Sequence, residues 1–181
     1  STPVADWETK RRWVDEAFRR FEAAGYEVSS AYTLVKKSRH AGFIYRDSLW
    51  HGADMVGTGV ASFSHFGGVH YQNADQWADY IGAIDRGELP VSRALRVTDE
   101  SLMIRELILQ LKTGRVDSQY FLTKFGVKIM DRFRETIAGL RRDGFVHEAD
   151  GELRLNRQGI LRVDALLPRF FEDAYRDIRY T

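Results

Sequence analysis

Residues whose types and spacing suit chemistry gather in the first half of this chain. Gly57-Thr58-Gly59-Val60-Ala61-Ser62-Phe63-Ser64 has the form G-x-G-x-x-S. A phosphate loop needs Lys-Ser/Thr after its last glycine, and a dinucleotide fingerprint needs a third glycine where Ser62 stands. Neither condition is met. What remains is a strand with inserted glycines, either a bulged strand closing a sheet or bare backbone that a flat ligand can approach, with Phe63 as an apolar contact. Ser62 and Ser64 lack the G-x-S-x-G elbow of a serine nucleophile. His51, His65 and His70 lie close in sequence, but none has the i, i+4 spacing of a zinc-protease helix. Polar loop histidines account for them, with a single haem ligand among the three left open.

Composition removes several classes. The 181 residues include no cysteine, so disulfides, cysteine-ligated zinc, iron–sulfur ligation and thiol catalysis are excluded for this chain by itself. With 27 basic and 26 acidic side chains, the overall charge demands neither nucleic acid nor anionic lipid. No apolar run reaches the ~20 residues of a membrane helix and no secretory signal opens the chain, so a cytoplasmic location is expected. Ser1 in place of Met, followed almost at once by a helical pattern, suits a chain cut from something longer.

The elements that would position these residues follow from periodicity. Val14, Ala17, Phe18 and Phe21 mark an amphipathic helix over 6–24, closed by Gly25. Tyr26, Val28, Ser30, Tyr32 and Leu34 sit at strand spacing. After a polar break at 36–42 come Phe43-Ile44-Tyr45 as a strand, a polar turn over 46–48, and the apolar run 55–64. Asn73 with Gln76 has the form of a capping box before a helix carrying Trp77, Tyr80, Ile81 and Ile84. Leu89-Pro90 marks the expected domain boundary, giving 1–90 and 91–181. Beyond it, Thr98 caps a helix with Ile104, Leu107, Ile108 and Leu111. A short helix lies near 118–124, and a third carries Ile129, Phe133, Ile137 and Leu140. Asp150-Gly151 turns a hairpin between Phe145-Val146 and 153–155. Asn156 caps a last helix. Three helices, a small β-wing and a closing helix make a winged-helix module.

A winged helix raises nucleic acid. The candidate recognition helix, 128–143, mixes Lys128, Arg132, Arg134, Arg141 and Arg142 with Asp131, Glu135 and Asp143. Groove readers show a cleaner basic face. Winged helices also serve as lids and interaction modules.

The order of these features resembles the oxygen-independent coproporphyrinogen III oxidases and their relatives. The resemblance rests on the tract Leu49-Trp50-His51-Gly52-Ala53-Asp54-Met55-Val56 leading into Gly57–Ser62, on Asn73, on Phe125-Gly126, on 140–146, and on Leu155-Asn156-Arg157-Gln158-Gly159. It runs from about Trp7 to about Phe171. It implies a radical S-adenosylmethionine enzyme that decarboxylates porphyrinogen propionates oxidatively in haem biosynthesis. In that family an N-terminal partial (β/α) barrel holds a [4Fe–4S] cluster on a three-cysteine loop. This chain would then be the C-terminal portion, inactive alone and partnered by an upstream half of the same protein. The implied fold is α+β: the last αβ unit of the barrel, a closing β-segment and a winged-helix domain. The implied cofactor contacts are Gly57, Gly59, Ala61, Ser62 and Phe63, and the implied substrate contacts are Ile44, Tyr45 and Phe63. No catalytic residue or metal ligand is implied. Tyr45, Trp50, Phe63, Phe66 and Tyr71 could line an apolar cleft for a tetrapyrrole, with Arg39 or Arg46 for its carboxylates. Ile44-Tyr45 departs from the oxidases' aromatic–amide pair, and haem chaperones, haem-utilisation enzymes and radical methylases share this tail. The substrate therefore stays open between a porphyrinogen, haem and another flat molecule. Two other classes stay open beside it, a DNA-binding winged-helix protein and a haem-binding chaperone.

Overall fold

The structure, a computed structural model, describes residues 4–37 and 42–176. In chain order the elements are α1 (Trp7–Ala23), β1 (Tyr26–Ser30), β2 (Thr33–Lys36), α2 (Ile44–Trp50), β3 (Phe63–Phe66), β4 (Val69–Asn73), α3 (Trp77–Asp85) and β5 (Val91–Arg96). Then follow α4 (Asp99–Leu111), β6 (Arg115–Asp117), α5 (Ser118–Phe125), α6 (Ile129–Arg132), α7 (Arg134–Arg142), β7 (Val146–Ala149), β8 (Glu152–Leu155), α8 (Arg157–Ile160), α9 (Val163–Leu166) and two 3₁₀ turns. Helices and sheets are mixed throughout. The chain divides into two compact units, one built from residues up to Phe43 together with those from Met103 onward, the other Ile44–Leu102.

The first unit holds the apolar core. Met103, Leu107, Leu111, Val116, Phe121, Ile129, Leu140, Leu153 and Phe170 are at most 2% exposed. Burying each such side chain contributes about 1.5–3 kcal/mol before chain entropy is set against it. The predicted helix near 118–124 is α5: the Asp117 carboxylate accepts from the Gln119 amide (2.8 Å), and Gly126 ends it in the left-handed region. The predicted third helix is two pieces, α6 and α7, broken at Phe133. Phe133 leaves helical geometry yet stays 7% exposed, packing edge-on against Phe170. The hairpin forms as expected. Asp150 and Gly151 both adopt positive φ (54° and 78°), which matches the right-handed twist of β7 and β8. The three-residue strand β6 joins them in the order β6-β8-β7, an addition that periodicity over so few residues cannot signal. The Asn156 side chain starts α8 by accepting from Gly159 N–H (2.9 Å) and donates to the Gly144 carbonyl (2.6 Å). Gly159 is required by space, since an added Cβ would lie 2.5 Å from the Phe145 carbonyl oxygen.

At the other end of this unit, Asp6 caps α1 by accepting from Thr9 N–H (2.7 Å), which lowers its pKa. Of the four apolar positions predicted to face inward, only Phe18 is buried; Val14 and Phe21 are about half exposed. Arg157 holds α1 instead. It donates to Asp15 (2.7 Å) and Glu22 (2.9 Å), and its guanidinium lies 4.9 Å from the Phe18 ring. The span 26–34, predicted as one strand, is an antiparallel hairpin. Ser30 and Thr33 exchange a hydroxyl hydrogen bond (2.8 Å), and Ser30 Oγ accepts from Tyr32 N–H (3.2 Å). Short hydroxyl side chains closing on their own backbone turn the chain there.

The second unit is a three-stranded antiparallel sheet, β3-β4-β5, with α2 and α3. The expected boundary at Leu89-Pro90 falls inside it. Val91–Arg96 is a strand hydrogen-bonded to β4 in the register Tyr71↔Ala94, so the unit continues to Leu102.

Candidate functional site

The second unit carries Ile44, Tyr45, Gly57, Gly59, Ala61, Ser62 and Phe63, the residues implied as cofactor or substrate contacts. Its first element corrects an expectation. Ile44-Tyr45 opens the helix α2 rather than forming a strand, and residues 46–48 continue that helix rather than turning. Ile44 and Tyr45 are 82% and 71% exposed. The Tyr45 hydroxyl donates to Met55 Sδ (3.1 Å). Arg46 pairs with Asp47 and lies over the Trp50 ring at 5.2 Å. Arg39 falls outside the described residues.

The glycine-rich stretch is the second correction. Met55 exchanges two backbone hydrogen bonds with His65 (2.7 and 2.9 Å), and the chain then leaves the ladder until β3 begins at Phe63. Gly57–Ser62 is a loop, with Gly59 at φ 99° and Ala61 at φ 59°. Left-handed geometry at two positions is incompatible with an extended strand.

The loop is tied down almost entirely by its own unit. Asn73, 5% exposed at the end of β4, donates its amide to the carbonyls of Gly57 (3.2 Å) and Gly59 (3.0 Å). Gly57 N–H donates to Ser64 Oγ (3.0 Å), and Gly59 N–H to the Tyr80 hydroxyl (3.0 Å). Gln72 donates to the Ala61 carbonyl (3.0 Å), and Ser62 Oγ to that of Thr58 (2.7 Å). Gly57 itself is explained by this packing, because a Cβ there would lie 2.3 Å from the Phe63 carbonyl oxygen. Asn73 therefore braces the loop rather than forming a capping box. Helix α3 starts after Gln76, whose side chain makes no capping bond.

What the loop presents is Phe63, 47% exposed and stacked on His70 with ring centroids 5.6 Å apart. His65 and His70 face each other across β3 and β4, ring centroids 6.2 Å apart, with His65 3% exposed. His51 lies just beyond α2, its Nδ1 2.6 Å from the Asp47 carbonyl. Among the described residues no group of three or more His, Cys, Asp or Glu is arranged to hold a metal ion. The structure thus brings Gly57, Gly59, Ala61 and Ser62 together in one braced loop that runs into Phe63 at the start of β3, and Tyr45 reaches Met55, two residues before the loop. Sequence reasoning passed over Tyr80 and Gln72 as tethers; both sit at ordinary helix and strand positions, and only spatial pairing exposes the role.

Residues 97–162 match the HemN C-terminal domain family. The chain is 32% identical over 112 residues to an oxygen-independent coproporphyrinogen III oxidase of Pseudomonas aeruginosa, covering 61% of this chain and 24% of that protein. It is 29% identical over 105 residues to the Helicobacter pylori (strain 26695) protein of the same name, covering 58% and 22%. The chain therefore spans about a quarter of the length of these relatives. Its fold is similar to part of the coproporphyrinogen III oxidase HemN from Escherichia coli, described as a radical SAM enzyme. The TM-score is 0.70 at 17% identity, over 87% of this chain and 39% of that one. The resemblance to the oxygen-independent oxidases read from the sequence is thereby established, as is a mixed α/β fold similar to HemN.

The two groups expected in a radical SAM enzyme fit this chain differently. An iron–sulfur cluster needs thiolates, and the chain has none to give. For S-adenosylmethionine the loop's donors at Gly57, Gly59 and Ala61 are already used internally. The residues fit a contact made through the exposed Phe63 ring, not a phosphate-type cradle of backbone N–H groups.

Proposed function

We propose that this chain is the C-terminal part of a radical S-adenosylmethionine enzyme of the coproporphyrinogen III oxidase type, carrying out oxidative decarboxylation of porphyrinogen propionates. The match of residues 97–162 to the HemN C-terminal domain carries the reading. In it, residues 91–181 contain the winged-helix domain, residues 1–90 the end of the partial barrel with α1 and its hairpin, and the braced glycine loop walls the cleft. An upstream half supplies the cysteines and, with its cluster and S-adenosylmethionine, the one-electron chemistry. This chain's own residues position and exclude: Phe63 offers a ring face, and Ile44 and Tyr45 an exposed apolar helix turn. A flat apolar substrate is held by such surfaces. The chain alone is inactive.

A DNA-binding role finds less support. Along the candidate recognition helix, Arg134 pairs with Asp131 (2.7 Å) and Arg141 pairs with Glu148, so two of its cations already have carboxylate partners.

The test is direct. The upstream coding sequence should contain a C-x3-C-x2-C loop. The full-length protein, reconstituted with iron and sulfide without oxygen, should convert coproporphyrinogen III with release of carbon dioxide and 5′-deoxyadenosine. A reading frame without such a loop overturns the enzyme class. Turnover of haem in place of the porphyrinogen corrects the substrate.

A further inference from the structure

Phe63, Gln72 and Arg93 form one row across the sheet, because Phe63 pairs with Gln72 in β3–β4 and Gln72 with Arg93 in β4–β5. Residues directly opposite one another project on the same face of a sheet. The side chains make a connected set. Arg93 Nε donates to Gln72 Oε1 (2.7 Å), Gln72 Nε2 donates to the Ala61 carbonyl of the glycine loop (3.0 Å), and the guanidinium lies 5.9 Å from the Phe63 ring centroid. Arg93 is exposed and forms no salt bridge with a carboxylate among the described residues. One of its five N–H donors is used, so the two Nη groups remain to meet an incoming planar anion.

We infer that Arg93 is a carboxylate anchor set beside Phe63, with Gln72 as the residue that positions it. The inference rests on the proposed function and extends it to a residue and a ligand group. A fork of parallel N–H donors matches a carboxylate bidentately, and an aromatic ring beside it takes an apolar body joined to that carboxylate. Two molecules of the proposed reaction have this chemistry: the propionate-bearing tetrapyrrole and S-adenosylmethionine with its amino-acid carboxylate. Arg96, three residues along the same strand, lies in the Phe66–Val69 row on the opposite face and serves as an internal control.

The test uses the full-length product of the coding sequence and two titrations per variant, coproporphyrin III by fluorescence and S-adenosylmethionine by calorimetry. R93A should weaken coproporphyrin binding by roughly 10- to 100-fold, the range of a charged hydrogen-bond pair. R93K should recover part of the loss, since it restores charge without the fork. Q72L should cost about threefold through a less oriented guanidinium, a fraction of a full pair. R96A should bind like the parent protein. Loss confined to S-adenosylmethionine supports the anchor and assigns it to the cofactor's carboxylate. A parent protein that binds S-adenosylmethionine in an Arg93-dependent way, but no porphyrin, retains the anchor and rejects the tetrapyrrole reading. Equal affinities in R93A and parent, or equal losses in R93A and R96A, overturn the anchor whether or not the enzyme turns over.

Discussion

Residues 103–170 and residues 44–102 are held together by different physics. The first region has a continuous apolar core, from Met103 to Phe170, in which Leu107, Phe121, Leu140 and Leu153 are essentially sealed from water. In the second, the residues buried among those described are Ser64, His65, Asn73 and Ala83, while Ile44, Tyr45, Phe66, Trp77 and Leu89 face outward. Its order comes from hydrogen bonds: a buried asparagine, a tyrosine hydroxyl and a glutamine fasten a loop whose shape the sheet alone does not dictate. A region with little core that spends buried polar groups on one loop is built to present a surface.

That contrast can be broken by experiment. The largest effect should come from the core: Phe121→Ala should cost about 3–5 kcal/mol in urea denaturation, through lost burial and the cavity left behind. A loss below about 1 kcal/mol there would mean the core is not what holds 103–170 together. Asn73→Ala leaves two carbonyls without their donor and should cost about 1–3 kcal/mol. It should appear as a lower melting point together with faster amide exchange across 57–62; unchanged exchange would remove the asparagine from its bracing role.

A smaller effect concerns α1. Its Asp15 carboxyl is held below the ordinary carboxylate range, first by the hydrogen bond from Arg157. A carboxyl with a depressed folded pKa contributes stability above its unfolded value of 3.8, and that contribution fades as pH falls through the lower folded value. Arg157→Ala should therefore cost about 1 kcal/mol near neutrality and progressively less below about pH 4, judged by melting curves across pH. A constant difference down to pH 2 would show that packing on Phe18, not the ion pair, is what Arg157 supplies. Smallest of all, Ile44→Ser should shift stability by no more than about 0.5 kcal/mol, since the side chain is 82% exposed. A larger loss would place Ile44 in a folding role and remove it from the presented surface.

The two regions also differ in how far the sequence could be read. From Asp99 onward the Thr98 and Asn156 caps and the Asp150-Gly151 turn each specify geometry over a few neighbouring residues, and the structure follows them; helix periodicity holds for α4 and α5 but misses the break at Phe133 and the division of the last helix into α8, α9 and a 3₁₀ turn. Thr98 Oγ1 accepts from Ser101 N–H at 3.0 Å as a cap should. The misreadings sit where a local turn interrupts a pattern or a run is too short to show a period. The Ser30–Thr33 turn split one predicted strand into a hairpin, and Tyr45 was placed on a strand because an apolar run of two or three residues has no readable period. The site was half legible: Gly57, Gly59 and Phe63 were singled out, Tyr80, Gln72 and Arg93 were not.

By itself the sequence determined α4, α5, the Asp150-Gly151 hairpin and the Asn156 cap, the absence of any thiolate ligand, and the resemblance to the coproporphyrinogen III oxidases. These depend on residue type and spacing along the chain. Only the tertiary structure decided that 57–62 is a braced loop, that strand 91–96 completes the sheet, and that Arg93 shares a face with Phe63. The reason is physical: pairing register brings residues tens of positions apart into hydrogen-bond contact, and nothing in local propensity encodes which ones will meet.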